Sequence, residues 1–96
     1  MNREEIIATL KSEKSVLSQK FGVEEIALFG SYARNEQNDD SDIDVLVKLK
    51  EPKLRKLVGV MEFLEKKFQR KIDIVTKHQY LGKRFLNVVA DDIIYV

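Results

Sequence analysis

Apolar positions recur with helical spacing from Arg3 to Phe21. Ile6, Ile7, Leu10, Leu17 and Phe21 fall near one face, with Lys14 interrupting it. Asn2 suits the N-cap, because its side-chain oxygen can accept from a free N–H of the first turn, and Gly22 suits the stop. Ile26–Phe29 is a short apolar run ending in Gly30, which reads as a buried strand. Ser31–Arg34 can start a short helix, and the polar run Asn35–Ser41 reads as a surface loop. Asp42–Leu49 alternates and then turns mostly apolar, a second strand. Pro52 breaks that strand and can open the next helix. There Leu54, Leu57, Val58, Met61, Leu64 and Phe68 follow a 3.6-residue period to about Gln69. Gly59 inside this helix costs roughly 1 kcal/mol relative to alanine and has no purpose visible in the pattern. Lys71–Thr76 predicts a third strand. Leu81, Phe85, Val88 and Val89 mark a last helix, and Ile93–Val96 a closing strand. Alternation of this kind implies an α/β sheet with helices packed on it.

Composition narrows the class. A chain of 96 residues fits one domain, residues 1–96, with one modest core. Charged residues at 34% and hydrophobic ones at 44% suit an ordinary folded domain. A net charge of +1 provides no global field for nucleic acid and argues against a nucleic-acid partner. The absence of cysteine excludes disulfides and thiolate metal sites. No apolar run approaches the roughly 20 residues a membrane span needs, and the N-terminus lacks the pattern of a signal peptide. A cytoplasmic protein with no membrane partner is expected.

The chemistry concentrates in Phe29-Gly30-Ser31-Tyr32-Ala33-Arg34 and Ser41-Asp42-Ile43-Asp44-Val45-Leu46-Val47. A glycine between a strand and a helical turn lets the backbone approach a ligand closely. The N–H groups that follow it, with the Ser31 hydroxyl, are donors suited to a phosphate chain. Asp42 and Asp44, two apart on an expected strand, face the same way at a separation of roughly 6.6 Å. Carboxylates so placed can share a hard cation, or two cations about 4 Å apart. Asp73 interrupts the apolar strand Ile72-Asp73-Ile74-Val75, where a charge is unexpected. If that strand lies beside Asp42–Val47, Asp73 can complete a three-carboxylate site or accept a proton from an incoming hydroxyl.

Gly30-Ser31, ten residues, then Asp42-Ile43-Asp44 resembles the GSx10DxD signature of the DNA-polymerase-β-like nucleotidyltransferases. The flanking residues resemble their minimal branch, and Ile72-Asp73-Ile74-Val75-Thr76 resembles the strand that carries the third carboxylate. The likeness covers nearly the whole chain. One departure is Asn35, where relatives often have glycine; asparagine tolerates a left-handed backbone, so little damage is expected. The resemblance implies the polymerase-β-like fold, a small mixed sheet with helices packed against it. It also implies transfer of a nucleoside monophosphate from an NTP with release of pyrophosphate. By the same resemblance Asp42, Asp44 and Asp73 are the catalytic and Mg²⁺-binding residues. Gly30 and Ser31, and more weakly Arg34, hold the nucleotide.

Larger relatives add a domain for the acceptor, for which this chain has no room. Minimal nucleotidyltransferases resemble one half of the HEPN–MNT toxin–antitoxin pairs, in which the nucleotidyltransferase adenylylates a tyrosine on a helical HEPN ribonuclease. That implies an antitoxin that moves AMP from ATP to a HEPN-type partner. Two other readings stay open: a non-catalytic module that neutralises its partner by contact, and transfer to a small molecule in a pocket formed by a homodimer. Other conspicuous residues read more plainly. His78 suits a solvated loop, Tyr32 packing beside the site, and Lys66-Lys67 with Arg70-Lys71 solvated helix ends. Val60 and Phe63 lie off the main stripe of the central helix, either partly buried or forming a small partner patch.

Overall fold

The computed structural model describes residues 1–76 and 92–96. Helix α1 spans Arg3–Phe21 and starts with a capping box: Glu5 N–H donates to the Asn2 side chain, and the Glu5 carboxylate accepts from Asn2 N–H. It stops at Gly22, which turns left-handed. The strands are β1 (Val23–Phe29), β2 (Ile43–Leu49), β3 (Ile72–Thr76) and β4 (Ile94–Tyr95). Between them lie α2 (Gly30–Ala33) and α3 (Leu54–Phe68). The expected helix around Leu81, Phe85, Val88 and Val89, and the expected loop residue His78, lie outside the described residues.

The described strands form a mixed sheet in the order β3-β2-β1-β4. β1 pairs antiparallel with β2 and with β4, while β2 and β3 run parallel. The parallel pair needs a long crossover, which α3 supplies. Strand alternation sorts the side chains between the two faces. Ile26 and Leu28 of β1, with Ile43, Val45, Val47 and Leu49 of β2, join one core with Ile6, Leu10 and Leu17 of α1 and Val60, Leu64 and Phe68 of α3. Ala27, Phe29 and Leu46 form a smaller cluster with Val75 and Ile93 on the other face. Asp44 and Asp73 belong to that second face by the same alternation, away from α1 and α3.

Several sequence expectations shift. β1 begins at Val23, earlier than the apolar run, because the ladder to β2 extends to Val23 opposite Leu49 and Lys50 N–H closes on the Gly22 carbonyl at 2.8 Å. β2 begins at Ile43, so Asp42 precedes the strand. Pro52 does not open α3; Lys53 caps it and Leu54 is its first residue. The buried stripe of α3 also differs from the expected one. Leu54 is 76% exposed and Val58 is exposed, whereas Val60 is fully buried. Leu57, Val60, Met61, Leu64 and Phe68 face the core at the usual i, i+3, i+4, i+7 spacing. Two overlapping apolar stripes are written on this helix, and only packing chooses between them. Phe63 packs against the core and meets Phe21 edge-on, with ring centroids 6.2 Å apart, so the partner-patch reading of Val60 and Phe63 gives way to burial. The same aromatic contact explains Gly59: a Cβ there would lie 2.5 Å from Phe21 Cε1.

Lys14, which interrupts the apolar face of α1, donates from Nζ to the Val96 main-chain oxygen at 2.7 Å. Among the described residues no helix is long and apolar enough to cross a membrane.

Candidate active site

The parallel register of β2 and β3 sets Asp44 beside Asp73. Neighbours in register on one sheet face lie side by side, so two carboxylates meet on adjacent strands. Asp42, just before β2, lies close enough to repel Asp44 as well. The Asp44 carboxyl is pushed up to about 6. Burial is the largest cause, then repulsion by Asp73 and by Asp42, then a hydrogen bond to Asp73 when Asp44 keeps its proton; Arg34 opposes the shift. The three acids predicted from the sequence therefore share one electrostatic neighbourhood.

They do not yet form a closed cage. Among the described residues no three acidic side chains are already gathered at metal-ligand spacing. Lys71 Nζ stands 3.9 Å from Asp42 Oδ2. The donor set nonetheless suits a hard divalent cation: it offers carboxylate oxygens alone, and Asp44 carries a charge its surroundings suppress.

Gly30 sits where β1 gives way to α2, with φ 76°. Phe29 pairs with Asp44 across the ladder, which brings the Asp44 side chain over the next residue. A Cβ on Gly30 would collide with Asp44 Oδ2 and lie 2.8 Å from its Cγ. The glycine thus serves the fold twice, through its left-handed backbone and through the room it leaves for the carboxylate. Ser31 is half-buried, and its carbonyl accepts from Glu36 N–H at 2.8 Å. Tyr32 is 1% exposed within the main core, in keeping with its packing role. Asn35 adopts φ 61°, the left-handed turn expected of it.

The loop that delivers Asp42 is tied locally. Asp40 N–H donates to the Asn38 side chain at 2.8 Å, and Asn38 N–H to Ser41 Oγ at 3.0 Å. Arg70 reaches across to the Asp39 carbonyl at 3.2 Å, anchoring the loop to the turn before β3. Arg34 is held by two acids, Nε to Glu36 at 3.3 Å and Nη1 to Asp92 at 3.4 Å. Its guanidinium acts on Asp44 through space, which places it at the same site. Asp92 was not singled out from sequence, and Lys71, expected only as part of a solvated basic cluster, stands beside Asp42. Asp92 stands just before Ile93-Ile94-Tyr95-Val96, so an explicit pairing of that closing strand with β1 would have found it.

Comparisons with known proteins bear on this arrangement. The Nucleotidyltransferase domain family model matches residues 10–96. A Methanocaldococcus jannaschii protein, provisionally named a protein adenylyltransferase, is 39% identical over 95 residues, 96% of this chain and 95% of its own. The protein adenylyltransferase MntA of Thermococcus cleftensis is 39% identical over 94 residues, covering 97% of this chain and 94% of its own. A solved structure provisionally described as a minimal nucleotidyltransferase superposes with a TM-score of 0.80 at 29% identity, over 98% of this chain and 95% of that one. A toxin–antitoxin structure with AMP-PNP has a TM-score of 0.67 over 99% of this chain and 72% of that one; at 21% identity it speaks for the fold alone. On this family match and these near full-length likenesses, the chain belongs to the minimal branch of the nucleotidyltransferase domain family and is a nucleotidyltransferase.

Proposed function

We propose that this nucleotidyltransferase is a Mg²⁺-dependent protein adenylyltransferase that moves AMP from ATP to a tyrosine hydroxyl of a HEPN-type toxin, and so acts as a cytoplasmic antitoxin. The observation that carries the reading is the pairing of Asp44 with Asp73 in register, with Asp42 beside them and Gly30 yielding space to Asp44. The names of the relatives, protein adenylyltransferases over nearly the full chain, favour a protein acceptor.

Asp42, Asp44 and Asp73 would hold Mg²⁺, which when bound supplies positive charge to the phosphate oxygens. Gly30 and Ser31 receive the phosphate tail, with Arg34 as a further cationic contact. Asp73 takes the proton of the acceptor hydroxyl as its oxygen bonds to the α-phosphorus. The bond from the α-phosphorus to the bridging oxygen breaks, and pyrophosphate leaves with that electron pair.

The test is to incubate the protein with Mg²⁺, ATP and the product of its neighbouring gene, then weigh both proteins by mass spectrometry. An AMP adduct on the partner that disappears with the Asp42→Asn, Asp44→Asn double variant is expected. Neutralisation of the partner that survives this double variant, with no adduct, would instead identify a contact-only antitoxin.

A further inference from the structure

β4 ties the end of the described chain to the strand that leads into the site. Ala27 lies opposite Tyr95 and Leu28 opposite Ile94. Continuing that antiparallel register brings Asp92 opposite Gly30, level with the start of α2. From there its Oδ2 accepts from Arg34 Nη1 at 3.4 Å. Glu36 takes the Nε side at 3.3 Å, so the guanidinium is held from two directions. The two anchors differ: the Asp92 side chain is 27% exposed and rooted beside a strand, whereas Glu36 is 67% exposed in a loop. Both bonds are long for charge-assisted ones, so the pair orients the arginine without consuming its capacity for a stronger anion. Other N–H donors of the fork remain for a ligand.

We propose that Asp92 is a positioning residue: it fixes Arg34 beside the acidic site so that the guanidinium meets the nucleotide phosphates already oriented. The inference rests on the reading of Arg34 as a phosphate contact, and it goes further by assigning a role to an acid outside the signature. An acid near a phosphate site would otherwise only repel the ligand. Here its charge is spent on Arg34, and the gain is in rotamer freedom that the arginine no longer has to lose on binding.

The test measures MgATP binding by calorimetry for the wild type, Asp92→Asn, Arg34→Ala and the double variant. Asp92→Asn keeps the size of the side chain and is expected to weaken binding about two- to tenfold, the range that fixing one long side chain in advance is worth. In the Arg34→Ala background the same change is expected to do nothing, because Asp92 acts through Arg34. Unchanged or tighter binding by Asp92→Asn overturns the proposal, and so does a loss that persists without Arg34, which would mark a merely structural role. A wild type that binds no MgATP overturns both this inference and the nucleotide reading beneath it. Normal wild-type binding with no effect of Asp92→Asn overturns the inference alone.

Discussion

Gly22 and Gly30 bracket β1, and both hold left-handed backbone, at φ 72° and φ 76°. Their surroundings differ. A Cβ on Gly22 would meet the Lys50 Cβ at 3.7 Å, an ordinary contact, whereas one on Gly30 would run into the Asp44 carboxylate. At the Gly22 end the chain merely turns out of a helix and closes a ladder. At the Gly30 end the same backbone device makes room for an acid that the local field discourages from ionising. The comparison separates two demands on a glycine that sequence inspection merges: a conformation, and a volume. The first end is built for stability. The second carries crowded like charge that a hydrophobic sheet would not otherwise tolerate.

The largest difference between the two ends is expected in catalysis. Asp44→Asn removes a proposed metal ligand and should lower AMP transfer by about a thousandfold or more, with the fold intact by circular dichroism. Transfer at near wild-type rate would remove Asp44 from the mechanism. Gly30→Ala should come close behind, since it displaces that carboxylate and strains the turn. A loss of activity well beyond its loss of stability is expected, read from turnover and urea denaturation on the same samples. If both fall in proportion, Gly30 is structural only.

Gly59→Ala tests a third glycine, required for volume but not for backbone angle. Overpacking against Phe21 should cost about 1–3 kcal/mol, offset in part by better helix propensity. A stabilised Gly59→Ala protein would show that the ring moves aside freely.

Asp44 also predicts a trade between function and stability. Its carboxyl rises from an ordinary value of 3.8 to about 6 on folding. Below pH 3.8 it is protonated in both states and imposes no penalty. As pH rises towards 6 the unfolded chain releases this proton more readily, so the folded state loses stability through that window. The loss is complete above pH 6 and amounts to about 1–2 kcal/mol once solvent screening of this half-exposed group is allowed for. Without added metal, Asp44→Asn should therefore be more stable than the wild type at pH 7.5 by about that amount, and the gap should close near pH 4. Added Mg²⁺ should reverse the order by stabilising only the wild type. Denaturant unfolding at the two pH values decides it. A gap that does not vary with pH would assign the strain elsewhere.

The smallest effect belongs to the quiet end. Gly22→Ala should destabilise by about 1 kcal/mol through its left-handed backbone and leave AMP transfer unchanged.

Much of the fold was legible one element at a time. The capped helix α1, the apolar runs of β1 to β3 and the stop at Gly22 each follow from local rules of period and backbone preference. The signature from Gly30 to Asp44 was legible because its chemistry is carried by residue type and spacing. Less legible was everything that depends on which surface meets which. The buried stripe of α3 was read one step off, because Leu54 and Val58 continue the same period as the true core residues, and only the sheet beneath decides which stripe is covered. Gly59 had no visible purpose because its partner, Phe21, is far away in sequence.

By itself, then, the sequence determined the kinds of element and their order across the described residues, and it singled out three aspartates and a glycine as candidates for the site. Tertiary structure decided that Asp44 and Asp73 stand side by side, since a parallel register between strands joined by a long crossover is not written in either strand. It decided too that the volume left by Gly30 belongs to Asp44, and that Asp92 reaches Arg34 across a strand pairing. Local pattern reports the conformation a residue prefers. Neighbours brought together by folding set the space and the field it must live in.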